Sequence, residues 1–447
     1  MNDFFERVSN LLTSKDFEIF KNEYNKPAYR GVRVNTLKCE ADKFLSFAEG
    51  ISEDDTTPFC KEGFYISEDC DLGGNHPLHH AGAIYFQEPS AMSAVSLLGV
   101  KKGDAVLDLC AAPGGKSTQI ASALAGTGLL WSNEIVKNRA NILLSNIERC
   151  GVSNAVVSST DPDTLCSALE GVFDKVLVDA PCSGEGMFRR DSAVYDEWTP
   201  EHSDACSVRQ LKILESAKKA LRAGGILVYS TCTFSKAENE DVIAEFLENN
   251  PDFEFLESGE NFGRPSLDGR SIRIYPMDGG EGHFGAKLRK KADEWGNSRR
   301  YPRLMPTEER KIPSVVKEFF EDTFINTDFA KRLFLHLDNV FILPEFCPEI
   351  KGARVIRAGV FAGTIKKSYF EPHHALFMSA HKDNIKRVVD LKLDDPRVKN
   401  FLHGEEISVE ENIKGYTAVC VEGITVGFGK VSGGMLKNKY PKGLRTL

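Results

Sequence analysis

The chain has 447 residues, about three times a common domain length, so two to four domains and a sizeable core are expected. Its 41% hydrophobic and 27% charged content excludes wholesale disorder, a collagen-like repeat and a membrane-embedded chain. The net charge of −9 argues at first against a polyanionic partner, but a sum over the chain conceals local patches.

Residues 1–6 carry acids where a signal peptide carries a basic segment, and no apolar run approaches the ~18 residues of a membrane span, so a cytosolic protein is expected. Residues 1–100 are mixed, with a turn-rich stretch from Asp69 to Pro77, and are read as an N-terminal α+β region. From Ala105 to about Gly285, short β-branched runs alternate with helical patterns, the mark of a parallel sheet with crossover helices. Strands are predicted at 105–110, 129–134, 155–158, 175–179 and 225–231. One helix is predicted from Thr199 as N-cap and Pro200 in the first turn, with Val208, Leu211, Leu214, Ala217 and Leu221 on its apolar face and Gly224 beyond its end. Another is predicted to open at Ser235, where Glu238 completes a capping box ahead of Val242, Ile243, Phe246 and Leu247. The fold class is therefore α/β, a doubly wound core over 101–290. Residues 290 to about 313 are polar, rich in Arg and Pro, and read as a linker within a connecting unit, 291–372. The last unit, 373–447, is β-rich, with a hairpin of 416–421 and 424–428 about Glu422 and Gly423.

Eleven cysteines, an odd number without a CxxC pair, fit a reducing compartment better than a disulfide framework or a zinc ribbon. Cys60, Cys70, His76, His79 and His80 match no tetrahedral spacing, so no metal is expected.

The run from Val106 to Ser117, Val-Leu-Asp-Leu-Cys-Ala-Ala-Pro-Gly-Gly-Lys-Ser, is a strand entering a glycine pair and then a helix. Such a turn lies at the carboxyl edge of the sheet, where backbone N–H groups meet ligands. A Walker A loop needs glycine at the position of Cys110, and a GxGxxG fingerprint is absent. S-adenosylmethionine then stands as the cofactor, with Glu134 at the end of the second strand as the carboxylate for its ribose. Asp179-Ala-Pro-Cys182 and Ser230-Thr-Cys232 bring two thiols to the same edge. A thiol suits methyl transfer to a pyrimidine because C5 is a poor nucleophile until a thiolate adds at C6. Asp179, protonated or sharing a proton with the ring, would support N3 and O2, and the helix opening near Ser235 would favour the Cys232 thiolate.

These three motifs, in this order, together with Tyr85-Phe-Gln-Glu-Pro-Ser90, resemble those of the Nop/Sun family of RNA 5-methylcytosine methyltransferases. The resemblance covers about 33–290. It implies a Rossmann-like S-adenosylmethionine-dependent RNA cytosine-C5 methyltransferase with Cys232 as nucleophile and Cys182 assisting product release. It implies cofactor contacts from Cys110, Ala111, Ala112, Pro113, Gly114, Gly115 and Lys116, and from Glu134, Arg139, Asp161 and Asp179. Glu134 stands where many relatives carry Asp, a change that keeps the carboxylate. The tail resembles the small PUA-like RNA-binding domain that ends bacterial small-subunit rRNA methyltransferases of the family, implying a 16S rRNA cytidine in free RNA or the 30S subunit. It implies RNA contacts from Lys430, Lys437, Lys439, Lys442 and Arg445; a monomer is expected.

Residues 287–311 hold nine Lys or Arg against four acids, and 430–447 hold five against none, so each segment is +5 and the rest is −19. Both are read as phosphate tracks flanking the site. A target base inside a duplex cannot present C6 to a thiol, so a single-stranded or flipped-out cytidine is expected. The alternatives are a tRNA or DNA methyltransferase, in the latter of which the Pro-Cys thiol attacks, and a non-catalytic RNA-binding ribosome-assembly factor.

Overall fold

The computed structural model describes residues 2–292, 303–305, 312–350 and 352–446, and the side chains from residue 3 onward. Most of the predicted linker, and most of the basic stretch 287–311, lies outside the described residues.

The parallel strands run in the order Leu221–Thr231, Phe173–Asp179, Ala105–Asp108, Leu129–Asn133 and Ala155–Ser158. Ala105–Asp108 thus sits where the chain order reverses, with a later strand on each side, and this is the crevice in which doubly wound sheets bind ligands. Both faces of the sheet are covered. Leu107, Trp131, Val156, Val176 and Val178 join one core, while Val106, Leu130, Val157 and Leu177 join the other. Period-two alternation with helices on both sides explains why these strands read as continuous apolar runs. His283–Lys290 adds antiparallel to Leu221–Thr231, and at the far edge Val355–Ala358 adds antiparallel to Ala155–Ser158.

The long helix is Pro200–Ala220, and Thr199 caps it through the amide of His202. Its inward face differs from the sequence expectation. Val208 is 58% exposed, and the buried stripe runs through Ser203, Cys206, Gln210, Leu214 and Ala217. Leu221 begins the following strand. Polar Gln210 takes an inward position because its amide bonds Pro181 O and Glu238, which a hydrophobicity pattern does not register. The next helix is Glu240–Asn249, preceded by Asn239, whose side chain makes no cap bond, so it does not open at Ser235 and Glu238 closes no capping box. The Glu238 carboxylate is drawn instead into the interior by four neutral donors, and the helix N-terminus is eight residues beyond Cys232.

The N-terminal unit has helices Asn2–Ser9 and Ser14–Tyr24 and an antiparallel sheet of Gly63–Tyr65, Gly31–Val34 and Ile84–Phe86. Its helices deliver Phe4 and Phe20 against Phe188, Phe234 and Tyr275, so an aromatic cluster covers the segments that follow both candidate cysteines. Between the core and the tail, helix Ser314–Thr323 packs near a sheet of Leu333–His336, Asn339–Ile342, Val360–Ile365 and Phe370–Pro372. The tail forms a five-stranded sheet containing the predicted hairpin, extended to Gly415–Val421 and Ile424–Ser432. Its turn holds Glu422 at φ +50° and Gly423 at φ +81°, the paired positive values that a two-residue type I′ connection needs. Val389, Phe401, Val426 and Leu436 of the tail share one core with Val32, Phe44, Phe64 and Ile84 of the N-terminal unit. No helix among the described residues is long and apolar enough to cross a membrane.

Candidate active site

The glycine loop leaves its strand at Asp108 and is pinned on both sides. Leu109 N donates to Leu177 O, and Ala111 N donates to Asn133 O. Gly114, at φ +117°, turns the chain into helix Gly115–Leu124, and a Cβ there would lie 3.2 Å from Leu143 Cδ1. The dihedral favours glycine here, and the leucine would have to give way slightly to any side chain. Beneath the loop, Ser117 Oγ donates to Asp108 Oδ2 at 2.7 Å, while Asp108 Oδ1 is buried without a partner. Burial pushes the Asp108 carboxyl up to about 7. An orphaned acceptor beneath the loop suits a ligand that brings its own ammonium group, as the amino-acid end of S-adenosylmethionine does.

Glu134, directly after the second strand, is 4% exposed. Its Oε1 accepts from Val136 N at 2.9 Å, and its Oε2 lies 3.3 Å from Arg139 Nη1. Arg139 Nη2 also reaches Ala112 O at 3.1 Å, so Arg139 meets the loop directly and Glu134 is tied to it through Arg139. Asp161 is exposed and caps helix Pro162–Ala168, its Oδ1 accepting from Asp163 N and Thr164 N.

At the centre Lys116 Nζ lies 2.8 Å from Asp179 Oδ2, and Ser230 Oγ donates to Asp179 Oδ1 at 2.8 Å. Burial opposes the charge on Asp179, but Lys116 and Ser230 outweigh it and hold the carboxyl below its ordinary value. Lys116 is raised in return, since Asp179 more than offsets its desolvation. A protonated Asp179 is thus disfavoured, and the carboxylate paired with Lys116 is the form the site holds. The two thiols emerge beside it, with Cys182 Sγ and Cys232 Sγ 3.3 Å apart. The hydrogen bond to Cys232 and burial together push the Cys182 thiol well above its usual range, so Cys182 keeps its proton. The group that meets the Cys232 sulfur is thus the Cys182 thiol and not the helix N-terminus, which begins only at Glu240.

Several neighbours of the site were not singled out from sequence. His283 is 3% exposed, its Nε2 is 3.9 Å from Asp179 Oδ1, and both ring nitrogens are without hydrogen-bond partners. Burial and then Lys116 lower it to about 4, so the imidazole is neutral. Arg33, buried under the loop, donates to Gly115 O at 3.0 Å, to Thr118 Oγ1 at 2.8 Å and to Gln87 Oε1 at 3.2 Å. Gln87 lies in the stretch from Tyr85 to Ser90, so the motif ahead of the loop acts partly through this arginine. A lone Arg or His in an apolar strand carries no such signal.

In the tail, Lys430 and Lys437 are cross-strand partners, and with Lys439 and Lys442 they are exposed. Arg445 differs. Its guanidinium packs over Gly404 and donates to Tyr440 O, so the structure does not group it with the exposed lysines.

A switch-point glycine loop, an acidic residue closing the next strand and reactive side chains at the same edge define an S-adenosylmethionine-dependent methyltransferase. A methyltransferase homolog from Pyrococcus horikoshii superposes with a TM-score of 0.56 at 31% identity, covering 64% of this chain and 93% of that one. NSun6 from the same organism gives 0.57 at 24% identity, over 65% and 98%, and shows the fold alone. Residues 95–289 match the model of the 16S rRNA methyltransferase RsmB/F family. Residues 1–89, 318–379 and 388–446 match the RsmF N-terminal domain, first C-terminal domain and PUA domain, respectively. The Vibrio vulnificus ribosomal RNA small subunit methyltransferase F is 33% identical over 99% of this chain and 96% of its own length. The Escherichia coli O157:H7 protein of the same name is 32% identical over 96% and 92%. The chain belongs to the RsmB/F family, in its RsmF branch.

Proposed function

We propose that this chain methylates C5 of a cytidine in 16S rRNA through a covalent adduct between Cys232 and C6 of the base. The observation that carries this reading is the 3.3 Å contact between Cys182 and Cys232 beside Asp179 and Lys116. The names of its relatives support the rRNA substrate, and the match to a PUA domain supports RNA contact. When bound, S-adenosylmethionine supplies the electrophilic methyl group. The loop from Cys110 to Lys116, with Glu134, Arg139 and Asp161, would hold it, and Asp179 lies between this region and the thiols. The Cys232 thiolate adds to C6, the C5–C6 π electrons move towards C5 and N3, and N3, which carries no proton in neutral cytidine, takes one relayed through Asp179 from the Lys116 ammonium, leaving an adduct that is nucleophilic at C5. After C5 is methylated a water takes its proton, the C6–Sγ bond breaks with its electron pair returning to the Cys232 sulfur, N3 gives its proton back through Asp179 to Lys116, and Cys182 assists that release. Lys430, Lys437, Lys439 and Lys442 supply phosphate contacts. The 1–100 and 373–447 units flank the 101–290 core as RNA-binding ends of a cytoplasmic monomer acting on RNA within or before the 30S subunit.

Cys232→Ala is expected to abolish methyl transfer, and turnover retained by that variant would remove Cys232 as nucleophile. Cys182→Ala is expected to accumulate a protein–RNA adduct on denaturing gels. An adduct that instead forms through Cys182 in the Cys232→Ala protein would reverse the two roles.

A further inference from the structure

Two buried carboxylates tie together the segments that carry the two thiols, and they do so reciprocally. Glu238 lies six residues after Cys232, yet its carboxylate accepts from the other segment: Ser183 N at 2.9 Å and Ser183 Oγ at 2.5 Å. Ser203 Oγ at 2.7 Å and Gln210 Nε2 at 2.9 Å complete its bonds. Glu185 lies three residues after Cys182 and reaches the opposite way, accepting from Phe234 N and Thr233 Oγ1, each at 3.0 Å. A direct Ser183 Oγ to Thr233 Oγ1 contact of 2.9 Å and a Gly186 N to Cys232 O bond of 2.9 Å run between them.

The two carboxylates are 0% and 2% exposed. Arg7 lies 3.4 Å from Glu185, whereas all four donors to Glu238 are neutral. Burying a carboxylate among neutral donors is a poor way to add stability, since an apolar side chain of similar volume serves as well. It is an effective way to fix geometry, because each bond is directional and an unmet one is costly. The two loops leave neighbouring strands that are paired as far as Asp179 and Ser230, with Ala180 N on Ser230 O, so the sheet ladder stops short of both sulfurs. Misplacement by about 1 Å in such a site costs about 10²-fold in rate.

We propose that Glu185 and Glu238 are positioning residues, a reciprocal brace that sets the separation of the Cys182 and Cys232 sulfurs. Its catalytic consequence rests on the roles proposed for those cysteines. Its geometric content does not.

The test compares wild type, Glu238→Ala, Glu238→Gln and Ser183→Ala in the full chain. The first readout is the rate at which hydrogen peroxide joins Cys182 to Cys232, followed by peptide mass. One S–S bond forms, both thiols lose hydrogen, and the peroxide is reduced to two waters. The second is single-turnover methyl transfer, and the third is the Kd for S-adenosylmethionine. Glu238→Ala is expected to slow both cross-linking and methyl transfer at least 10-fold, with the Kd changed less than 3-fold. Glu238→Gln is expected to restore most of both rates. Its amide oxygen still accepts from Ser183 N and Gln210, while the serine hydroxyls rotate to accept from its NH2. Ser183→Ala keeps the amide bond and loses the hydroxyl ties, so about 3-fold slower cross-linking is expected; this variant carries the test should Glu238→Ala not fold. Wild-type cross-linking in Glu238→Ala or, should it not fold, in Ser183→Ala overturns the brace. So does a Kd that weakens as much as cross-linking slows, the mark of general loosening. Cross-linking needs no RNA, so the expected cross-linking pattern in a protein that methylates no RNA would leave the brace standing and overturn the proposed function instead.

Discussion

Replacing Lys116 with methionine removes the cation from a carboxylate that the fold otherwise desolvates. Breaking a buried ion pair on one side costs about 3–5 kcal/mol, because the remaining charge is left uncompensated. Here the Asp179 side chain is 28% exposed and keeps the Ser230 hydroxyl, so about 2 kcal/mol is the appropriate figure at pH 7–8. In the wild type Asp179 is held below its ordinary value, so its stabilising contribution is complete above the unfolded carboxyl range and is lost only as pH falls through the lowered folded value. In Lys116→Met the burial of Asp179 acts without its counterweight, and the carboxyl rises above its ordinary value. The variant is then penalised at pH 8 and recovers as pH falls and Asp179 takes up a proton. His283 faces the same carboxylate and is released from the ammonium that lowers it, which adds to recovery on the acid side. Thermal melts of both proteins at pH 5 and pH 8 check this. The difference in Tm is expected to be about 4 °C at pH 8, taking ~2 °C per kcal/mol for a long chain, and clearly smaller at pH 5. A difference equal at both pH values, or larger at pH 5, would refute the electrostatic account and leave only lost packing.

Two further outcomes follow from the structure. Arg33→Met leaves Gly115 O and Thr118 Oγ1 without their buried donor, so the Kd for S-adenosylmethionine should rise about 10-fold, measurable by titration calorimetry, the figure corresponding to one charge-assisted bond of about 1.5 kcal/mol. Lys430→Gln with Lys437→Gln removes two adjacent exposed charges, and the slope of log K against log salt for RNA binding should shrink by about 1.4, at ~0.7 per phosphate contact on single strands. An unchanged slope would place the phosphate track elsewhere.

The core sheet, the glycine loop and the two cysteines were legible in the sequence because each is written locally. An apolar run of five residues, a Gly-Gly pair and a cysteine after a strand depend on neighbours a few positions away. The stretch from Ser235 to Glu238 shows where that reasoning fails. As a string it reads as a capping box, but Glu238 is satisfied by Ser183, Ser203 and Gln210, none nearer than 28 residues in the chain. Val208 fails for the same reason, since Gln210 is buried through bonds to Pro181 and Glu238 that no periodicity reveals.

Composition and local pattern thus determined the class of fold, the cofactor, and which residues reach the carboxyl edge of the sheet. The opening charge of −9 said nothing reliable about partners, since local runs of basic residues, not the sum, carry that information. Tertiary structure alone decided that the two sulfurs lie 3.3 Å apart, that Lys116 holds Asp179 ionised, and that His283 stands unpartnered beside it. It also decided that the two ends of the chain share one core, with Val32 and Phe44 packed in the same cluster as Phe401 and Leu436. The physical reason is common to all four. A hydrogen bond, an ion pair or a buried contact depends on separation in space, and between residues tens or hundreds of positions apart that separation exists only once the chain has folded.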